Sequence, residues 1–120
     1  MSDTENIKSL LEKEIEQLYI DLGRQILSSD YHAFPFPKQR YITKAKNWLA
    51  ENKVHLKQKI CKNEYVKLHM NSNKIEDRVI LISAIIDLIS SMCIGISPVT
   101  VAVLLVKEGI NSLCSKDAIV

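Results

Sequence analysis

The chain has 120 residues, 47% of them hydrophobic and 25% charged, and a net charge of +2. That length fits one domain that can bury a core without metals or disulfide staples, and three glycines with three prolines are too few for the many turns of an all-β fold. The charge is unevenly placed: residues 1–31 hold three basic and seven acidic side chains, residues 32–74 ten basic and two acidic, and residues 75–120 three basic and five acidic, so a cationic block lies between two anionic ones.

The first predicted helix covers roughly 4–29. Ile7, Leu11, Ile15, Leu18, Leu22 and Ile26 recur at steps of three and four, which places them on one face. Glu5, Glu12, Glu14 and Glu16 stand near the positive end of the helix, and Ser2 or Thr4 is a suitable cap. Residues 30–36 read as a connector, held extended before Pro35 and Pro37, with Phe34 and Phe36 expected to plug the end of the bundle.

A second helix is predicted over roughly 37–62. Pro37 suits its first position, and Ile42, Ala45, Trp48, Leu49, Leu56 and Ile60 form its apolar stripe. Lysines flank that stripe, Lys46, Lys53 and Lys57 forming one basic face and Lys44 and Lys62 the other edge. Residues 64–70 are ambiguous. Val66, Leu68 and Met70 alternate with Lys67 and His69 as a strand would, but a lone strand has no partner inside this chain, so a helix tail followed by a loop is the expectation. Real alternation here would call for the same strand of another chain.

The third helix, roughly 74–93, is expected to be capped by Ser72 or Asn73 and stopped at Gly95. Ser97-Pro98 then restarts the chain into a fourth helix over roughly 98–114, a capping serine followed by a proline at the first helical position. Both helices are apolar nearly all round. In the third, Ser83, Asp87, Ser90 and Ser91 form one narrow polar strip among isoleucines.

A membrane hairpin would need about 20 apolar residues per span. Residues 79–93 number 15, and the run 98–106 holds only nine before Lys107, so each arm is short. The expected architecture is therefore an all-α, single-domain small four-helix bundle spanning 1–120, with two amphipathic helices packed on a strongly apolar C-terminal hairpin. Two one-sided helices are too few to wrap both hairpin arms, so aliphatic surface is expected to remain for a partner. Ile82, Ile85, Ile86, Ile89, Val101 and Leu105 are its expected members.

Chemistry is sparsely represented. The histidines, His32, His55 and His69, have no metal-ligand spacing, no CxxC or HExxH occurs, and the glycines are isolated, so neither a metal, a cofactor nor a phosphate loop is expected. Asp87 reads as part of the polar strip, exposed or paired, rather than as a catalytic acid. Cys61, Cys93 and Cys114 are odd in number and widely spaced, and the acidic start MSDTENIK is unlike a secretory signal, so free buried thiols in a cytoplasmic setting are expected.

The function expected from these features is non-enzymatic: a small oligomerising or complex-forming helical subunit that docks on itself or on a protein partner. One alternative is a membrane-associating hairpin whose basic helix lies on anionic lipid. A second is a non-specific nucleic-acid binder acting through the lysine-rich helix, although lysine outnumbers arginine there and base readout favours arginine.

Overall fold

A computed structural model describes residues 3–27 and 36–114. Their helices are α1 (Asp3–Leu11), α2 (Ile15–Leu27), α3 (Lys38–Glu51), α4 (Lys53–Ile60), α5 (Glu64–His69), α6 (Ile75–Ile89), α7 (Pro98–Glu108) and α8 (Ile110–Leu113). A 3-10 turn, Ser90–Met92, follows α6, and no strand occurs among the described residues. The fold is all-α. Most of the connector, with Phe34 and His32, and the capping side chains expected of Ser2 and Thr4, lie outside the described residues. Phe36 is half-buried, set edge-on to Tyr41 with the Arg40 guanidinium over its ring.

Three of the expected helices are broken. The first stops at Leu11 and resumes at Ile15. In a straight helix Ile7 and Leu22 would stand about 22 Å apart, whereas the eleven residues of α7 are only about 16 Å long. Turning at Glu12–Glu14 lets α1 and α2 both lie on α7, and Ile7, Leu18 and Leu22 are all fully buried. The Lys107 ammonium donates 2.7 Å to the Leu11 carbonyl and so satisfies one of the acceptors exposed where α1 ends.

The second break falls at Asn52. Its backbone N–H and its side-chain Nδ2 both donate to the Trp48 carbonyl, at 3.0 and 2.8 Å. An asparagine side chain that competes for its own helix's carbonyls loosens the helical run. The axis changes there, so α3 packs on α2 while α4 packs on α6. The third break is Gly109, whose φ of 112° lies where side-chain-bearing residues are strained, and it separates α7 from the single turn of α8.

Residues 64–70 are neither strand nor helix tail followed by loop. Asn63 Oδ1 accepts from the Val66 N–H at 3.0 Å and starts a separate short helix, α5. Val66 is buried against α6 while Leu68 is 76% exposed, so the alternating residues do not share a face. Two other local signals appear as expected. Gly95 has φ 81°, and Ser97 Oγ accepts from the Thr100 N–H at 3.3 Å with Pro98 at the first helical position. The expected cap of the third helix is not made: Lys74 holds the N-cap position without a side-chain cap bond, and Ser72 Oγ instead accepts from the Lys74 N–H and donates to Asp77 Oδ2.

The hairpin of α6 and α7 is the centre of the molecule. Every residue from Thr100 to Val106 is buried, enclosed by α1, α2, α6 and α8. Thr100 is satisfied there: Gln25 on α2 donates to its hydroxyl at 3.3 Å and accepts from the Ser97 N–H at 2.8 Å, so a distant side chain completes the cap of α7. α2 and α3 approach closely where Gly23 meets Tyr41, so that a Cβ on Gly23 would overlap the Tyr41 backbone carbonyl.

Candidate functional site

The residues expected to meet a partner are mostly core. Ile82, Ile85, Ile89 and Val101 are fully buried, Leu105 nearly so, and Ile86 is half-buried. The expectation counted stripes on two amphipathic helices. The breaks at Glu12–Glu14, Asn52 and Gly109 create additional short helices, of which α1 and α8 cover α7 while α4 and α5 cover α6. The large apolar side chains that do remain outside, among the described residues, are a different set: Val54, Tyr65, Leu68, Ile75, Ile80 and Ile94. Several of these stand on α4, α5 and the first turn of α6, beside the cationic block.

The polar strip faces solvent. Ser83, Asp87 and Ser90 are exposed, and Ser90 Oγ folds back to donate to the Ile86 carbonyl at 2.6 Å. Asp87 is thus a surface carboxylate, with no buried partner to organise it.

The basic face is built by α3, α4 and α5. Ile42, Ala45, Leu56, Ile60 and Val66 turn inward, which leaves Lys44, Lys46, Lys53, Lys59, Lys62 and Lys67 outward. Lys57 is half-buried. Lys46 sits 5.3 Å above the Tyr19 ring, and Tyr65 meets His69 edge to face at 4.7 Å. A balance of charge between the first and second helices would be expected to show as ion pairs. The salt bridge found among the described residues is instead Lys13 to Asp21, at 2.9 Å and joining the α1–α2 turn to α2. Lys44, Lys53, Lys59, Lys62 and Lys67 make none there, and neither do Glu5, Glu12, Glu14 and Glu16, which are all exposed.

A cleft of about 270 Å³ opens between α4 and α8. Leu49, Leu56, Leu105 and Leu113 supply its apolar walls, with Lys53 at its edge. Beside it the Tyr19 hydroxyl donates 2.6 Å to Glu108 Oε2. Burial first, and then this carboxylate, raise the phenol well above its ordinary range. That phenol stays protonated at neutral pH and serves as a tie between α2 and α7.

The cysteines correct the sequence expectation. Cys61, just past α4, and Cys114, just past α8, form a disulfide across 53 residues, with 5.4 Å between their Cα atoms. Cys93 is the free thiol, and burial raises its pKa. Sequence spacing could not choose among the three possible pairings. The usable hint was weaker: Cys61 and Cys114 each directly follow an apolar residue, Ile60 and Leu113, at a helix end. His55 and His69 contribute to no metal-like cluster, and among the described residues no group of three or more His, Cys, Asp or Glu side chains is placed to hold a metal ion. No helix among them is long and apolar enough to cross a membrane.

No protein-family model matches this chain, and neither a characterised protein nor a solved structure is significantly similar to it.

Proposed function

We propose that the protein is a non-enzymatic assembly module that associates with a second copy of itself, the cationic face of α3–α5 docking on the acidic face of α1 and early α2. One observation carries this reading. Opposite charges are exposed on different segments of the chain, and those of Lys44, Lys53, Lys59, Lys62 and Lys67, like those of Glu5, Glu12, Glu14 and Glu16, are not spent on one another within it. Charge complementarity of this kind steers association and fixes register. Val54, Tyr65 and Leu68, exposed among the lysines, supply the apolar contact that a purely electrostatic encounter lacks.

The same geometry disfavours the alternatives. A basic helix lying on lipid needs a free apolar face, and those of α3 and α4 are occupied by the core. Phosphate binding needs charge alone and gives the exposed aliphatic side chains no role. A cytoplasmic setting belongs to this reading with Cys61–Cys114 as a reversible bond, since lasting disulfides are characteristic of oxidising compartments.

The test is sedimentation equilibrium of the full chain over a range of salt concentrations. Association is expected at low salt and dissociation as salt rises. Charge reversal at Lys53, Lys59 and Lys62 to Glu should abolish it, and mixing that variant with one carrying Glu12→Lys, Glu14→Lys and Glu16→Lys should restore a mixed assembly. A chain that stays monomeric at low salt overturns the proposal. So does one that binds duplex DNA or phosphatidylserine vesicles while remaining monomeric.

A further inference from the structure

We infer that Cys61–Cys114 is a reducible latch that holds α8 over the cleft, and that its reduction releases α8 as a unit about Gly109 while the rest of the fold stays intact. This inference does not depend on self-association.

Four features of the structure support it. First, α4 and α8 both contribute side chains to the cleft, and the bond ties these two helices together, Cys61 following α4 and Cys114 following α8. Second, α8 is a single turn of four residues, far below the length at which a helix persists unaided. Its other anchors are the buried side chains of Ile110 and Leu113 and one exposed hydrogen bond from Asn111 to Asn71. Third, Gly109 provides a pivot. With φ 112° and space around its Cα it can change conformation where another residue could not. Fourth, both bonded cysteines are half-buried rather than enclosed, so an external thiolate can reach the sulfur pair. Cys93, enclosed at the end of α6, stands apart from this chemistry.

The exchange balances with a dithiol as the reductant class. Its thiolate attacks one sulfur, the Cys61–Cys114 bond breaks, a mixed disulfide forms, and the released thiolate takes a proton. The second thiol then displaces the mixed disulfide, leaving two protein thiols and an oxidised dithiol, so two electrons and two protons enter the chain. Release of α8 parts Leu113 from Leu56 and Leu105 and uncovers apolar surface that the oxidised form keeps closed.

The experiment is hydrogen exchange of the full chain at neutral pH, before and after dithiothreitol, with a naphthalene-sulfonate dye as a second readout. The Ser112, Leu113 and Cys114 amides, bonded in the oxidised form to the Gly109 and Ile110 carbonyls, should exchange at least about tenfold faster on reduction. The amides of α2, α3, α6 and α7 should stay protected and exchange far more slowly than those of α8, dye fluorescence should rise, and reoxidation should restore the oxidised pattern. Cys61→Ser and Cys114→Ser should each reproduce the reduced pattern without reductant. The latch is overturned if α8 keeps its protection after reduction, if α2, α3, α6 and α7 become as unprotected as α8, or if dithiothreitol cleaves the bond only in denaturant.

Discussion

Cys61 and Cys114 are 53 residues apart in sequence and 5.4 Å apart between Cα atoms, and the bond between them ties the end of α4 to the end of α8. A cross-link of that span restricts the unfolded chain. On a chain-entropy account it contributes about 4 kcal/mol to global stability. The double variant Cys61→Ser/Cys114→Ser should therefore show a clearly lower denaturant midpoint than the oxidised chain, and the same midpoint as the chain unfolded in reductant. Cys93→Ser should leave the gap between oxidised and reduced chains unchanged. Equal midpoints for oxidised and reduced protein would remove the bond's structural role.

Gly23 is required by a contact. A Cβ there overlaps the carbonyl of Tyr41, which is backbone and cannot swing aside. Gly23→Ala would gain helix propensity of about 1 kcal/mol at an unconstrained site. Here it should instead destabilise by about 1–3 kcal/mol through overpacking between α2 and α3. Chemical denaturation measures the sign directly, and a more stable variant would mean that the two helices are not so close.

Leu104 and Leu68 are the same residue type in opposite environments, the first fully buried in α7 and the second 76% exposed on α5. Leu104→Ala should cost about 2–5 kcal/mol, the range for truncating a buried leucine in a core that relaxes only partly. Leu68→Ala should change the stability of the monomer by less than about 0.5 kcal/mol. Similar losses at the two positions would place Leu68 inside the fold rather than on its surface.

The bond from Tyr19 to Glu108 predicts an alkaline signature. Burial and the carboxylate raise the phenol's pKa in the folded state above its unfolded value of 10.0. The stability this supplies is fully present below pH 10.0 and is lost as pH climbs above it, because the unfolded chain then ionises first. Below that pH, Tyr19→Phe should cost about 0.5–1.5 kcal/mol, the usual net worth of one hydrogen bond. The difference between wild type and variant should shrink as pH rises above 10.0. A difference independent of pH would mean that the hydroxyl contributes packing alone.

Local signals were legible in the sequence because each acts over a few residues. The spacing of Leu18 and Leu22, the Ser97-Pro98 restart and the stop at Gly95 depend on helical periodicity, a capping oxygen and one backbone angle. The helical class and the central place of the apolar hairpin follow from them, whereas the strip of Ser83, Asp87 and Ser90 was visible but its facing toward solvent was not. Tertiary structure decided whatever depends on which surfaces meet. Helix-compatible residues run through Glu12–Glu14 and through Asn52, yet the chain bends at both, because α1 and α4 gain more by lying on the hairpin than by prolonging their neighbours. Those bends explain why Ile82, Ile85, Ile89, Val101 and Leu105 lie in the core rather than on an interface. They also bring Cys61 to Cys114, a pairing encoded by no spacing, since it exists only once α8 has folded back against α4.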